Sequence, residues 1–233
     1  MTDSAPRTIE AADAVLAVPV WDLPVRLFHW SLVGLIGFSW WSAENGRTQW
    51  HIWSGLAVLS LLIFRLLWGL VGSSTARFGS FVRGPRTVWR YLRDPRGWTQ
   101  LGHTPLGALS VLALLGLLTG QVALGLVLSD EDGTVSAPLN RFVSFEAAER
   151  ARDLHELLFN VLLAFIALHV AAILFYRVVQ GKRLTGAMIT GRTRVEGEVP
   201  AMRAGKWWAA VLCLLAGIAI TRWIIAGVPP FGS

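Results

Sequence analysis

The chain has 233 residues, 54% hydrophobic and 15% charged; soluble domains carry about 25% charged residues, so an ordinary soluble globular fold is excluded. The net charge of +6 comes mostly from arginines lying between apolar runs, so topology accounts for it and no nucleic-acid partner is expected. The single cysteine, Cys213, sits inside an apolar run, which rules out an intrachain disulfide and a thiolate metal cluster.

Residues 1–20 carry mixed charge (Asp3, Arg7, Glu10, Asp13) ahead of the first long apolar run, unlike a signal peptide, and read as a short N-terminal cytoplasmic tail. A membrane-spanning helix needs roughly 20 mostly apolar residues, and five runs meet that length. The first covers about residues 25–43, and the second, about 51–72, starts at His51. The third covers about 105–128, with Thr104 suited to cap it and Pro105 to open it. Acidic residues (Asp130, Glu131, Asp132, Glu146, Glu149, Asp153) mark the loop that follows, with a short amphipathic stretch near 144–153. The fourth run covers about 154–179. A polar, Gly-containing linker follows at 190–206, and a fifth run, 207–228, ends at Pro229-Pro230. Runs this long and uniformly apolar are helices rather than barrel strands. The expected fold is all-α: a transmembrane bundle with a four-helix domain over residues 21–189 and a fifth C-terminal helix. Basic residues concentrate before the first run, between the second and third, and between the fourth and fifth. That bias places the N-terminus in the cytoplasm and the C-terminus outside.

Ionisable side chains inside a span are rare and usually functional, and imidazole is a standard axial ligand of haem iron. Four of the five histidines fall at matched depths. His155 and His169 lie 14 residues apart on the fourth helix, about 21 Å along its axis and close to four whole turns, so both leave the same face. His51 opens the second helix at the depth of His155, and His29 lies near the start of the first at the depth of His169. The depths therefore pair His51 with His155 (outer) and His29 with His169 (inner), as two bis-histidine b-type haems stacked across a bundle would require. No Asp or Glu lies mid-span to support a proton relay. His103, before the third helix, has no counterpart at the other surface and reads as structural. Arg65 lies 14 residues after His51, near the inner level. It either binds a haem propionate or snorkels to the interface. Gly34, Gly37, Gly55, Gly116, Gly120 and Gly125 permit close approach of helices or of a flat macrocycle.

Several segments carry a family resemblance: Asp22-Leu23-Pro24-Val25-Arg26-Leu27-Phe28-His29-Trp30, Trp50-His51-Ile52-Trp53-Ser54-Gly55, Phe64-Arg65-Leu66-Leu67-Trp68-Gly69, Ala76-Arg77-Phe78, Gly102-His103-Thr104-Pro105-Leu106-Gly107 and the His155/His169 helix. Over about residues 20–190 the chain resembles the bacterial cytochrome b561 group, which includes the b-type subunit of nickel–iron hydrogenases. Where the family usually has Asn after the histidine preceding the third helix, this chain has Thr104. The resemblance implies a four-helix di-haem core ligated at His29, His51, His155 and His169. It also implies electron relay in a bacterial inner membrane between the quinone pool and a redox partner such as a c-type cytochrome or hydrogenase. Two other functions stay open: a self-contained quinone-linked oxidoreductase acting on a small oxidant such as superoxide, and a haem-free membrane anchor or transporter.

Overall fold

The computed structural model describes residues 15–95, 98, 100–129, 136–196 and 200–228. Arg7, Arg96, the acidic cluster Asp130, Glu131 and Asp132, and Pro229-Pro230 lie outside the described residues. The order is β1 (Val15–Pro19), α1 (Leu23–Glu44), α2 (Thr48–Val71), α3 (Phe78–Phe81), α4 (Pro85–Arg93), α5 (Pro105–Gly125), a 3₁₀ turn (Asn140–Phe142), α6 (Phe145–Val179), α7 (Leu184–Thr190), β2 (Arg192–Glu196) and α8 (Trp207–Ile225).

Local chemistry sets the helix starts. Asp22 accepts a hydrogen bond from the Val25 amide at 2.7 Å, with Pro24 in the first turn of α1. Thr104 accepts from the Gly107 amide ahead of Pro105 in α5. Ser144 caps α6, with Glu146 in its first turn and Arg177 in its last. Each cap satisfies an orphan amide, and the charges on α6 oppose the helix dipole.

Among the described residues, α2, α5, α6 and α8 are long and apolar enough to cross a membrane. The 22 residues of α1 match them in length, but Arg26, His29 and its serines dilute its apolar content. The centre of the bundle is α2, which packs against α1, α5 and α8; α5 packs in turn on α6. A mid-depth layer joins Val58 and Leu62 of α2 to Leu118 of α5 and Leu162 of α6. Leu162 lies seven residues from each of His155 and His169, so this dry layer separates the two histidine levels. The fifth long helix closes on α2: Cys213, Gly217 and Thr221 form its buried stripe. Ser60 donates to the Thr221 hydroxyl at 2.9 Å. A Cβ at Gly217 would lie 2.5 Å from the Ser60 carbonyl, so the two backbones meet at a contact that only glycine permits.

Two features differ from the sequence expectation. The fourth apolar run and the amphipathic stretch before it form one 35-residue helix. Ser144 supplies a single cap for both, and no proline or glycine breaks the chain between them. The tail and the linker meet as an antiparallel ribbon, with Val15 opposite Glu196 and Pro19 opposite Arg192. It continues at Val20, whose amide donates to the Gly191 carbonyl at 2.8 Å. Gly191 ends α7 with φ +79°, and a Cβ there would lie 2.8 Å from the Trp21 carbonyl; the left-handed turn and the close approach both require glycine.

Candidate functional site

His51 and His155, the pair expected at the outer level, come together across a cavity of about 670 Å³ lined by α1, α2, α5 and α6, within the range of cofactor sites (about 300–1,000 Å³). The rings of His51 and His155 face each other with centres 6.1 Å apart and planes at 81°. At that separation both imidazoles would be able to reach a single metal-centred group held between them. The Nδ1 atom of His51 lies 2.9 Å from the Ser39 carbonyl oxygen and 3.1 Å from the Ser39 hydroxyl. An Nδ1–H donating to that carbonyl leaves the Nε2 lone pair directed away from α1, the tautomer a metal ligand needs. Gly55, one turn below His51, lines the cavity, and a Cβ on it would meet nothing within 4 Å. A Cβ on Gly125 would meet the His155 ring at 3.2 Å.

At the other end, His29 of α1 and His169 of α6 lie close enough to interact electrostatically. The Nδ1 of His169 is 3.4 Å from the Ser110 hydroxyl of α5, so a serine from a neighbouring helix stands beside the Nδ1 of one histidine at each level. The His29 ring packs edge-on against Trp30 with centres 5.0 Å apart, and its Nδ1 is buried with no hydrogen-bond partner. Among the described residues no three His, Cys, Asp or Glu side chains converge, so zinc-type protein cages are not formed. Paired histidines across open space are the donor set that haem accepts.

Arg65 does not snorkel. It is 3% exposed, its guanidinium sits 4.7 Å from the centre of the Phe78 ring, and one of its terminal nitrogens is buried without a hydrogen-bond partner. Asp22 is its electrostatic counter-charge. That carboxylate caps α1 through one oxygen and accepts from the Trp68 indole N–H at 3.0 Å through the other. Trp68 is fully buried, and Gly69 beside it leaves room for Phe78, whose ring would lie 2.0 Å from a Cβ there. His103 packs between Trp21 and Phe81, with ring centres at 4.7 and 4.4 Å and the planes tilted by 56° and 45°. Burial, then the charge of Arg65, pushes its pKa down to about 3, so the imidazole is neutral at physiological pH. The motif segments other than the histidine ligands thus converge on one knot beside the inner level. The sequence marks these residues only as scattered motifs, because their proximity is created by α2, α3 and the α4–α5 connection folding together. Arg152, which the sequence does not single out, lines the cavity between His51 and His155, three residues before His155, and donates to the Ser129 carbonyl. Its signal was available in the i, i+3 spacing.

A helical bundle with apolar spans, and with one pair of histidines closely placed across a cofactor-sized cavity, is the architecture expected of a membrane cytochrome. The family model for prokaryotic cytochrome b561 matches residues 20–191, and the chain belongs to that family. It is a bacterial membrane protein that binds b-type haem and acts in electron transfer. No curated protein and no solved structure matches the chain.

Proposed function

We propose that the chain is a di-haem b-type cytochrome that relays electrons between the quinone pool and a redox partner such as a c-type cytochrome or hydrogenase. The observation that carries this reading is the His51–His155 pair, 6.1 Å apart across a cofactor-sized cavity with the His51 Nδ1 held by Ser39. In it, His51 and His155 hold the outer haem and His29 and His169 the inner one. Arg152 and Arg65 are the cations available to a propionate at the respective levels. Bound haem supplies one-electron redox chemistry at each level. The chain orients the imidazoles through Ser39 and Ser110, excludes water with the Leu162 layer, and tunes the ligands' basicity through those second contacts. On this reading α1 crosses the membrane with the four more apolar helices, the N-terminus is cytoplasmic, and the domain divisions follow those expected from the sequence.

The test is to purify the protein in detergent, record a reduced-minus-oxidised spectrum, and measure haem per chain by pyridine haemochrome. Two b-type haems per chain are expected. A ratio of one, or no b-type absorbance, would refute the di-haem assignment.

A further inference from the structure

We propose that α4 is an interfacial helix whose arginine band binds the headgroups of anionic phospholipids. The helix lies in the connection from the end of one apolar span, α2, to the start of another, α5. It is fixed there by packing on α5 and by the Tyr91 hydroxyl, 3.0 Å from the Tyr176 hydroxyl at the end of α6. Three span ends therefore hold α4 at one surface of the apolar slab.

Its own sequence divides into three faces at 100° per residue. Thr87, Val88 and Tyr91 turn toward the protein, with Tyr91 buried. Leu92 and Trp89 come next around the helix and are 50% and 59% exposed. Beyond them lie Arg86, Arg90 and Arg93, all exposed, and the Arg93 guanidinium sits 5.1 Å from the centre of the Trp89 ring. The apolar and basic faces adjoin rather than oppose each other. A helix set sideways against the bundle needs that order, because the Trp89–Leu92 edge then enters the acyl boundary while the arginine band lies level with the phosphates. Between residues 72 and 104 the chain carries six arginines and one acid, Asp94. Arg83 is already engaged by Gln100 and the Ser80 carbonyl; Arg86, Arg90 and Arg93 form the band. A cationic band bordering an exposed indole matches a negatively charged lipid surface in both charge and polarity. The occupant is a lipid headgroup rather than free phosphate, since the adjoining apolar edge has acyl chain to bury only in the former.

The test uses the full-length haem-loaded protein in detergent, equilibrated with mixed micelles of phosphatidylglycerol and phosphatidylcholine at equal mole fraction. Retained lipids are counted by native mass spectrometry. Phosphatidylglycerol is expected to be retained in excess, and millimolar inorganic phosphate is expected not to displace it. Each arginine removed is expected to lower the preference by roughly fivefold. Arg86→Gln/Arg90→Gln/Arg93→Gln should abolish the preference, while Arg192→Gln/Arg194→Gln/Arg203→Gln, two arginines on β2 and one in the stretch before α8, should leave most of it. Arg90→Gln alone covers the case in which the triple variant does not fold. An unchanged preference in the α4 variants, an equal loss in both triple variants, or displacement by free phosphate would overturn the proposal. Haem content, read on the same samples, separates this outcome from failure of the di-haem reading.

Discussion

The Nδ1 atom of His51 lies 2.9 Å from the backbone carbonyl of Ser39, whereas the Nδ1 of His169 has the Ser110 hydroxyl, at 3.4 Å. The two levels thus differ in what survives when the serine is removed. An acceptor on Nδ1–H makes the imidazole more basic and favours the oxidised metal. Ser110→Ala is therefore expected to raise the inner haem's midpoint potential, on the order of tens of millivolts for one lost hydrogen bond at 59 mV per factor of ten. Ser39→Ala retains the carbonyl and should move the outer potential less. Potentiometric titration of both variants checks the difference, and equal shifts would contradict it.

Pairing by level has a stoichiometric consequence. His169→Ala is expected to lose one haem of two, and His29→Ala the same one. His155→Ala and His51→Ala should lose the other. Haem per chain and the residual spectrum separate the two classes. His29→Ala/His169→Ala should match either single variant in haem content, while His155→Ala/His169→Ala should bind none.

The knot around Trp68 predicts a stability effect that does not touch a histidine ligand. A Cβ at Gly69 would collide with the Phe78 ring, which carries the Arg65 guanidinium. Overpacking of this kind costs about 1–3 kcal/mol, so Gly69→Ala should lower thermal stability in detergent. Asp22→Asn keeps a cap oxygen but removes the counter-charge of a buried arginine, and we expect a loss at least as large. A melting temperature unchanged by both would show that the knot does not hold the bundle together.

The pH dependence of stability follows from His103. Burial and the neighbouring Arg65 lower its pKa to about 3 in the folded chain, against 6.5 when free. Between those values the unfolded chain binds a proton that the folded chain does not, so folding stability falls as pH drops from about 6.5 toward 3. His103→Gln should flatten that part of the profile while leaving the region above pH 7 unchanged. Thermal unfolding of both proteins from pH 4.5 to 8 measures it. Tyr91 gives no signal in this window, because burial and the Tyr176 hydroxyl push its pKa up to about 12.

The parts of this molecule that sequence reveals are those governed by a fixed period. His155 and His169 share a face because the helix is unbroken between them, and the apolar runs are visible because lipid demands them. Thr104 and Pro105 are legible for the same local reason. The amphipathic stretch that opens α6 is legible too, but its continuity with the apolar run is not, since Glu146, Glu149, Arg150 and Arg152 break the apolar pattern although they continue the helix. Nor was the β1–β2 ribbon: its strands are short and lie far apart in the chain, and either one alone carries only a weak local signal. The contact of Asp22 with Trp68 is of this second kind. Each residue is visible in its motif, but only the packed α1–α2 pair brings the carboxylate to the indole.

The layer formed by Val58, Leu62, Leu118 and Leu162 lies midway between the two histidine levels. It offers no proton-carrying side chain, so in the di-haem relay proposed above an electron passing between the levels would travel without a compensating proton. The levels are about 21 Å apart along α6, or roughly two thirds of a 30 Å hydrocarbon layer. Each such transfer would therefore couple to the transmembrane voltage by roughly 1.6 kcal/mol per 100 mV, opposed or assisted according to its direction. On that proposal the voltage across the cell membrane becomes a term in the redox equilibrium between the two ends of this protein.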